Sequence, residues 1–415
     1  MNLVLIGDVG VLDGMIHIGD EAMFDEALHQ LRRRSPELRV TAISANPAET
    51  AERYGVAAIE RVGFTSGASF GRAADEERTR RVALTAAGTP GLLPADDPAH
   101  AVIAGVRAAD GVLVTGGGNL ASTWPLHVFE RATLGLIAEA VGRPFVVSGQ
   151  TIGPDLRDED AALVARMLAS ARLVGLRERD SYRLTADRLG VPRELLNHTV
   201  DDASFVGDRA APGADAAGYC AVSLSPHLGG ADRGVFVERA AALLDAVAAE
   251  TGLAIVFLAH FGSLQPEVVR GDSVLHEDVR AAMRTPSSVV PPTDSVAAAA
   301  LAREASFVVS SRYHPAVFAA SGGVPTLGIA VDDYTTTKLT GALGTFGQAA
   351  ARAGEVPSGV LQITELVGDD PDRATDVAAA LWADRDRIRS TGLATAVIER
   401  ERSARWWDRV AGSLR

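Results

Sequence analysis

The sequence predicts an α/β protein with two doubly wound, Rossmann-like domains that face a cleft and a helical C-terminal tail. Three observations lead to this prediction. The 415 residues suit two domains, and the 47% of hydrophobic residues can fill a core in each. Short apolar runs alternate with amphipathic stretches, which is the pattern of a parallel sheet covered by helices. The alternation restarts after residues 207–218, which are rich in Gly and Ala.

The first domain is predicted over residues 1–210. An apolar run at residues 3–6 predicts the first strand, and Asp20 opens an amphipathic helix. Further strands are predicted at 39–44, 111–114, 145–147 and 173–176, with helices between them. Residues 65–99 are small, polar and marked by Gly and Pro, and they predict an irregular insertion.

The second domain is predicted over residues 215–365. Five apolar runs predict its strands, at 221–224, 253–259, 288–290, 307–309 and 326–329. A long helix is predicted at 233–250. Residues 366–415 lack any strand pattern, so we expect a helical tail that packs back on the first domain.

Charge and composition exclude several classes of protein. The net charge of −13 argues against a general nucleic-acid binder, which needs a basic footprint. The single cysteine, Cys220, rules out an intramolecular disulfide and fits a reducing compartment. There is no basic leader and no run of about 20 apolar residues. We therefore expect a cytoplasmic protein. Transient contact with a membrane surface and homo-oligomers stay open.

The basic residues are almost all arginine. Of the 40 Lys and Arg residues, only Lys338 is a lysine. Lysine is a compact point charge that can lose its proton, whereas arginine is a wide fork that is always charged. A lysine retained in so arginine-rich a chain points to a role that arginine cannot fill.

The residues Ser311-Arg312-Tyr313-His314 follow an apolar strand and precede a helical stretch. Anions bind at such strand ends and helix starts in α/β domains. Arg312 offers a fork for a carboxylate or phosphate, and His314 can exchange a proton near neutral pH. Lys338 follows the next strand, so it can converge with them. The alternative is structural, with Arg312 in an ion pair and His314 at the helix cap.

Five other blocks occur along the chain: Gly19-Asp20-Glu21-Ala22, Gly116-Gly117-Gly118-Asn119, Gly149-Gln150-Thr151-Ile152-Gly153-Pro154, Arg177-Glu178-Arg179-Asp180-Ser181 and Asp201-Asp202-Ala203. The triple glycine suits bare backbone N–H groups at a helix start that bind an anion or a sugar hydroxyl. Together with the run from Ser311 to Lys338, the ordered set resembles the polysaccharide pyruvyl transferase family over about three-quarters of the chain.

The resemblance implies a GT-B-like transferase that moves a pyruvyl group from phosphoenolpyruvate to a saccharide diol. The product is a ketal in cell-surface polysaccharide or glycoconjugate biosynthesis. The acceptor is free, nucleotide-linked or lipid-linked. No metal or cofactor is expected, because no histidines stand at metal-ligand spacing and phosphoenolpyruvate is a co-substrate.

The resemblance also assigns residues. It assigns catalysis to Arg312, His314 and Lys338, and it adds Arg177 to these three for binding the donor. It assigns the acceptor side to Asp20, Glu21, Gly117, Gly118, Asn119 and Asp201.

Two other functions stay open. A nucleotide-sugar-dependent glycosyltransferase shares the two-domain plan, so fold alone does not separate it from a pyruvyl transferase. A non-catalytic sugar-binding homologue is the second alternative, although it has no need for Arg312, His314 and Lys338 together. Asp20 and Glu21 also suit a purely structural role in the first turn of a helix.

Overall fold

The computed structural model describes residues 1–64, 71–211, 218–349 and 358–415. The strands in these ranges are β1 (Asn2–Ile6), β2 (Met15–His17), β3 (Arg39–Ser44), β4 (Ala57–Glu60), β5 (Gly111–Val114), β6 (Gly117–Leu120), β7 (Phe145–Ile152), β8 (Leu173–Leu176), β9 (Leu196–His198), β10 (Tyr219–Ser223), β11 (Ala254–Leu258), β12 (Phe261–Ser263), β13 (Ser287–Val290), β14 (Phe307–Ser310), β15 (Thr326–Ala330) and β16 (Val360–Gln362).

The α-helices in the same ranges are α1 (Ile18–Arg34), α2 (Pro47–Tyr54), α3 (Arg72–Ala86), α4 (Ala99–Ala108), α5 (Pro125–Ala140), α6 (Asp158–Ser170), α7 (Arg179–Arg183), α8 (Arg233–Thr251), α9 (Asp272–Ala282), α10 (Ser295–Glu304), α11 (Tyr313–Ser321), α12 (Asp333–Thr345), α13 (Ile363–Leu366), α14 (Arg373–Ala383) and α15 (Arg385–Ser413). None of these helices is both long enough and apolar enough to cross a membrane.

The chain divides into two compact units. The first unit is Met1–Leu12, Met23–Asp202 and Arg402–Arg415, and the second is Asp13–Ala22 with Ala203–Glu401. A short N-terminal segment therefore counts with the second unit, and helix α15 contributes to both. Residues 212–217, in the middle of the predicted boundary, lie outside the described residues. The predicted cleft involves both units and stays a prediction.

The first unit is built on a parallel sheet in the order β4-β3-β1-β5-β7-β8-β9, with β6 paired to β7. Its central strands bury both faces, which is why they read as continuous apolar runs. The chain adds β3 and β4 on one side of β1 and then crosses to β5 on the other side. This reversal leaves a crevice at the carboxyl ends of β1 and β5, where ligands bind in such sheets.

The second unit repeats this plan. Its parallel sheet runs β13-β11-β10-β14-β15-β16, and the order reverses between β10 and β14. Strands β2 and β12 form a separate antiparallel pair. Cys220 is fully buried in β10 and packs in the core of this unit. Two Rossmann-like units with a C-terminal helical tail agree with the predicted fold class.

The predicted irregular insertion at 65–99 is wrong in its first half, whereas residues 87–98 form neither helix nor strand, as predicted. Residues 65–70 lie outside the described residues, but Arg72–Ala86 form helix α3. Charged side chains conceal the helix in the sequence, although Arg72–Glu76 and Arg81–Glu77 pair at a spacing of four residues. Val82 and Ala86 are buried and hold the helix to the core.

Candidate functional site

The carboxyl ends of β10 and β14 lie side by side in the second unit. The Ser310 hydroxyl donates to the carbonyl of Ser223 (2.9 Å), and the backbone N–H of Ser225 donates to the Ser311 hydroxyl (2.8 Å). These bonds tie the two strand ends together and fix the start of α11. Arg312 and His314 are thus placed on a rigid edge of the sheet.

His314 lies in the first turn of α11 and is only 8% exposed. Its ring contacts Tyr313 edge-on at 5.0 Å and Phe318 at 5.9 Å between ring centres. The other wall of its pocket is Gly19, at which an added Cβ would lie 1.9 Å from His314 Nδ1. Glycine is therefore the residue that fits at this position.

The segment that carries Gly19 is held to the second unit by its backbone. Strand β2 pairs with β12, and the N–H of Ile18 donates to the carbonyl of His260 (2.9 Å). Sequence reasoning matched the Gly19-Asp20-Glu21-Ala22 block but assigned a role only to the two acids. The missing signal was spatial, since Gly19 and His314 are distant in the sequence.

Asp20 and Glu21 lie on the same segment. The Asp20 carboxylate pairs with His17 Nδ1 at 2.9 Å, while Glu21 is buried. The helix begins at Ile18, two residues earlier than predicted, so Asp20 is a first-turn residue and not the cap. This geometry supports the structural role, and the acceptor role of both acids stays a prediction.

Arg312 is oriented by a fully buried carboxylate. Its Nε donates to both oxygens of Asp272 (3.1 and 3.0 Å), and its Nη2 also bonds to Asp272. Asp272 in turn accepts from the backbone N–H groups of His260 and Phe261. Within the described residues Nη1 makes no hydrogen bond, so this edge of the fork can bind an anion. The two alternatives for Arg312 are therefore compatible.

Lys338 lies on α12 between two tyrosines. Its Nζ sits 4.6 Å from the ring centres of both Tyr313 and Tyr334, and it donates to the Tyr334 hydroxyl at 3.2 Å. Because Tyr313 also contacts His314, these distances place the Nζ at most about 10 Å from the centre of the His314 ring. Lys338, Arg312 and His314 thus belong to one neighbourhood of the second unit.

Two buried histidines that the sequence did not single out support this edge. Burial lowers the pKa of His260 to about 3 and that of His276 to about 4. His276 Nε2 accepts from the N–H of Leu224 (2.9 Å), and His260 Nδ1 bonds to the Ser223 hydroxyl (3.1 Å). Both rings are neutral at pH 7, so they shape the site without adding charge.

Arg177 lies in the first unit and is 3% exposed. Its Nη1 donates to Asp201 (2.5 Å), and its Nε donates to Glu178 (3.0 Å) and Thr151 (2.8 Å). Two carboxylates therefore balance its charge in the interior. This arrangement favours a structural role for Arg177 and Asp201. Donor binding by Arg177 together with residues of the second unit stays a prediction.

The glycine block is a strand and not a helix start. Gly117–Leu120 form β6, which pairs with β7, and the following helix begins only at Pro125. An added Cβ would lie 2.8 Å from Met23 at Gly116 and 3.1 Å from Gln150 at Gly117. The glycines thus allow close packing, which corrects the expected turn with bare N–H groups. The ligand role of Gly117 and Gly118 stays a prediction.

A family model for polysaccharide pyruvyl transferases matches residues 17–333. The chain belongs to the polysaccharide pyruvyl transferase family. The matched range includes Gly19, Arg177, Arg312 and His314 and ends before Lys338. No curated protein matches the chain.

Solved structures similar to this pyruvyl transferase family member share its fold at low identity. The UDP-GlcNAc 2-epimerase of Neisseria meningitidis, bound to UDP-GlcNAc, is 10% identical with a TM-score of 0.56, over 95% of this chain and 94% of the other. The UDP-GlcNAc 2-epimerase of Methanocaldococcus jannaschii is also 10% identical, with a TM-score of 0.54 over 91% of each chain. The glycotransferase of kitacinnamycin is 15% identical, with a TM-score of 0.56 over 100% and 99%. These GT-B glycosyltransferase and epimerase structures support the fold and nothing finer.

Asp202 forms a further polar network in the first unit of this family member. Burial raises the pKa of its carboxyl to about 7. The Ser148 hydroxyl donates to it (3.0 Å), and Trp406 Nε1 donates to that hydroxyl (2.9 Å). Gly149, with a φ of +52°, leaves the space that the carboxyl occupies. The Asp201-Asp202-Ala203 block is therefore an interior element.

The described residues contain no group of three or more His, Cys, Asp and Glu side chains arranged to hold a metal ion.

Proposed function

We propose that the protein transfers the pyruvyl group of phosphoenolpyruvate to two hydroxyls of a saccharide, forming a ketal. Family membership supports a transferase. The observation that carries the finer proposal is the grouping of Arg312, His314 and Lys338 at the switch point of the second sheet. A guanidinium, an imidazole and an ammonium together suit a small ligand that has a carboxylate and a phosphate.

The donor carries about three negative charges, so a protein of net charge −13 must bind it with a local cationic site. Arg312 is held rigidly by Asp272, and its Nη1 edge faces no partner in the described part of the chain. A preorganised guanidinium loses little freedom when it binds a carboxylate or phosphate. Lys338 supplies a second charge, positioned by the two tyrosine faces.

His314 is the residue suited to move a proton. In the proposed reaction it donates a proton to the methylene carbon of phosphoenolpyruvate, which becomes a methyl group. The adjacent carbon gains oxocarbenium character and is attacked by one saccharide hydroxyl. Such proton transfer by a positioned side chain contributes typically ~10²–10⁴-fold to the rate.

Release of phosphate and closure of the ketal complete the reaction. The bond between the same carbon and the bridging oxygen breaks, and phosphate leaves with that oxygen. The second hydroxyl then closes the ketal on this carbon. Of the two hydroxyl protons, one leaves with phosphate and the other restores His314. Arg312 and Lys338 stabilise the charge on the departing phosphate.

Donor choice tests the proposal. Isothermal titration of the full chain with phosphoenolpyruvate and with UDP-GlcNAc should show binding of the first only. Arg312→Met should lose this binding by roughly 10-fold or more, the effect of a hydrogen bond to a charged group. Arg284→Met is the matched control, because Arg284 is an exposed arginine of the same unit that also pairs with an aspartate, Asp245. Binding of UDP-GlcNAc without phosphoenolpyruvate would support a glycosyltransferase instead.

A further inference from the structure

A cluster of charged and polar side chains lies at the carboxyl ends of β1 and β5 in the first unit. Asp8 lies two residues after the end of β1. Its Oδ1 accepts from Arg61 Nη2 (2.5 Å) and its Oδ2 accepts from Asn119 Nδ2 (2.9 Å). This is where the strand order of the first sheet reverses, the place where ligands bind in doubly wound sheets. Sequence reasoning singled out Asn119 but not Asp8.

Asp8 remains a carboxylate at neutral pH. Burial alone would raise its pKa, but the neighbouring His127 ring and the guanidinium charges of Arg131 and Arg61 hold the pKa well below its usual range. The side chain keeps 22% of its surface exposed. An ionised carboxylate accepts hydrogen bonds from hydroxyls and repels anions. The ligand that fits this position is therefore uncharged and carries several hydrogen-bond donors.

His127 faces Asp8 with a defined tautomer. Its Nδ1 lies 3.0 Å from Arg131 Nη1, and a guanidinium can only donate, so Nδ1 accepts. In the neutral ring the proton is thus inferred to be on Nε2. Nε2 lies 3.7 Å from Asp8 Oδ2, which is longer than a hydrogen bond. A hydroxyl placed between them would accept from His127 and donate to Asp8.

Glu130 provides an independent sign of a ligand. It is 2% exposed, and its Oε2 lies 3.4 Å from Arg131 Nη1. Its Oε1 is buried and has no hydrogen-bond partner within the described residues. Burial raises the pKa of this carboxyl. Buried polar atoms normally have a partner, which here a bound water or ligand hydroxyl would supply.

Trp124 is an exposed aromatic residue at the start of the helix that carries His127. The residue is 44% exposed, which is unusual for a tryptophan, and it immediately precedes α5. The N–H of His127 donates to its carbonyl (3.0 Å), so the two residues occupy the same helix start. Pyranose rings combine apolar C–H faces with hydroxyls, and binding sites pair aromatic surfaces with a few fixed polar groups.

We infer that Asp8, Asn119, His127 and Trp124 bind a saccharide, with one hydroxyl held between Asp8 and His127. Arg61 positions Asp8, and Arg131 positions His127. Neither arginine contacts the sugar. Calling this sugar the pyruvyl acceptor rests on the proposed function. The assignment moves the acceptor site from Asp20, Glu21 and Asp201 to side chains around Asn119.

Saccharide binding tests the site directly. Saturation-transfer difference NMR on the full chain would use methyl glycosides of glucose, galactose and mannose as probes. At least one should bind the wild type, and Asp8→Asn should weaken it by roughly 10-fold or more, since a hydrogen bond to a charged group is lost. Trp124→Ala, at an exposed position that tolerates truncation, should also weaken binding. Asp408→Asn is the matched control, because Asp408 is an exposed aspartate of the same unit paired with Arg34.

Each outcome decides the matter. Equal binding by wild type, Asp8→Asn and Trp124→Ala would overturn the site, and so would the absence of binding by every glycoside. Phosphoenolpyruvate titrated into the same variants should bind as in the wild type. If the glycoside binds through Asp8 and Trp124 while phosphoenolpyruvate does not bind at all, the saccharide site stands and the proposed function fails.

Discussion

Gly19→Ala tests whether the N-terminal segment positions His314. The added Cβ would lie 1.9 Å from His314 Nδ1, whereas ordinary contact begins at 3.4 Å, so the ring must move by about 1.5 Å. A misplacement of about 1 Å at a reacting group can cost ~10²-fold in rate. We therefore expect kcat/KM for phosphoenolpyruvate to fall roughly 100-fold.

The expected loss of kcat/KM comes from displacement of the His314 ring and not from unfolding. Gly19 lies in the first turn of helix α1, where alanine is favoured over glycine by at most about 1 kcal/mol, the value for a helix interior. That gain offsets part of the strain from the crowded ring, typically about 1–3 kcal/mol. The melting temperature of Gly19→Ala should therefore stay within several degrees of the wild type.

Steady-state kinetics with phosphate release as the readout would measure the effect. Gly412→Ala is the matched control, since Gly412 also lies in a helix and an added Cβ there meets nothing within 4 Å. In a His314→Ala background, Gly19→Ala should cost almost nothing further. Full activity of Gly19→Ala, or an equal loss in the His314→Ala background, would refute this account of Gly19.

Three further predictions concern single side chains. Lys338→Arg should lower kcat/KM by the equivalent of about 2–4 kcal/mol of transition-state stabilisation, with an unchanged melting temperature. The reason is that a planar guanidinium does not replace a compact ammonium between two tyrosine rings. Turnover near the wild-type value would show that the lone lysine survived by accident. Asp202→Asn should gain stability relative to the wild type as pH rises from 4 to 7. Burial raises the pKa of Asp202 in the folded state to about 7, above its ordinary value of 3.8. Its protonated form therefore stabilises the fold at low pH, and this contribution is lost as pH rises towards 7. A constant difference in unfolding free energy across this range would contradict it. Asp201→Ala should lower the unfolding free energy, measured by denaturant, by about 3–5 kcal/mol, because it leaves the buried charge of Arg177 with one carboxylate fewer. A loss below about 1 kcal/mol, which is typical of exposed ion pairs, would argue against a buried structural pair.

The central strands were predictable because each one is a short apolar run that can be read from its own residues. Apolar runs such as residues 111–114 and 307–309 are buried on both faces, so strand and burial coincide in the sequence. Helix α3 was missed because it is held by charged pairs and only a few buried residues, a weak signal among polar residues.

The site was predictable only in part. Arg312 and His314 lie two residues apart after β14, and Lys338 lies on the helix that follows the neighbouring strand β15, so strand order brings the three together. The roles of Asp272, Gly19 and Asp8 depend on contacts between distant segments, which no spacing reveals. Arg177 lies at a strand end, which predicts a ligand-binding role, whereas its pairs with Glu178 and Asp201 favour a structural one. Its part in donor binding stays a prediction.

The central claim is tested most directly by following the carbon of the donor. The full chain would be incubated with ¹³C-labelled phosphoenolpyruvate and a panel of free, nucleotide-linked and lipid-linked saccharides, and the products analysed by mass spectrometry and NMR. We expect a saccharide that carries the labelled carbons as a ketal, with one phosphate released for each ketal formed. Both should be lost in His314→Ala. Release of phosphate without label on any saccharide, or sugar transfer from a nucleotide donor by the same protein, would contradict it.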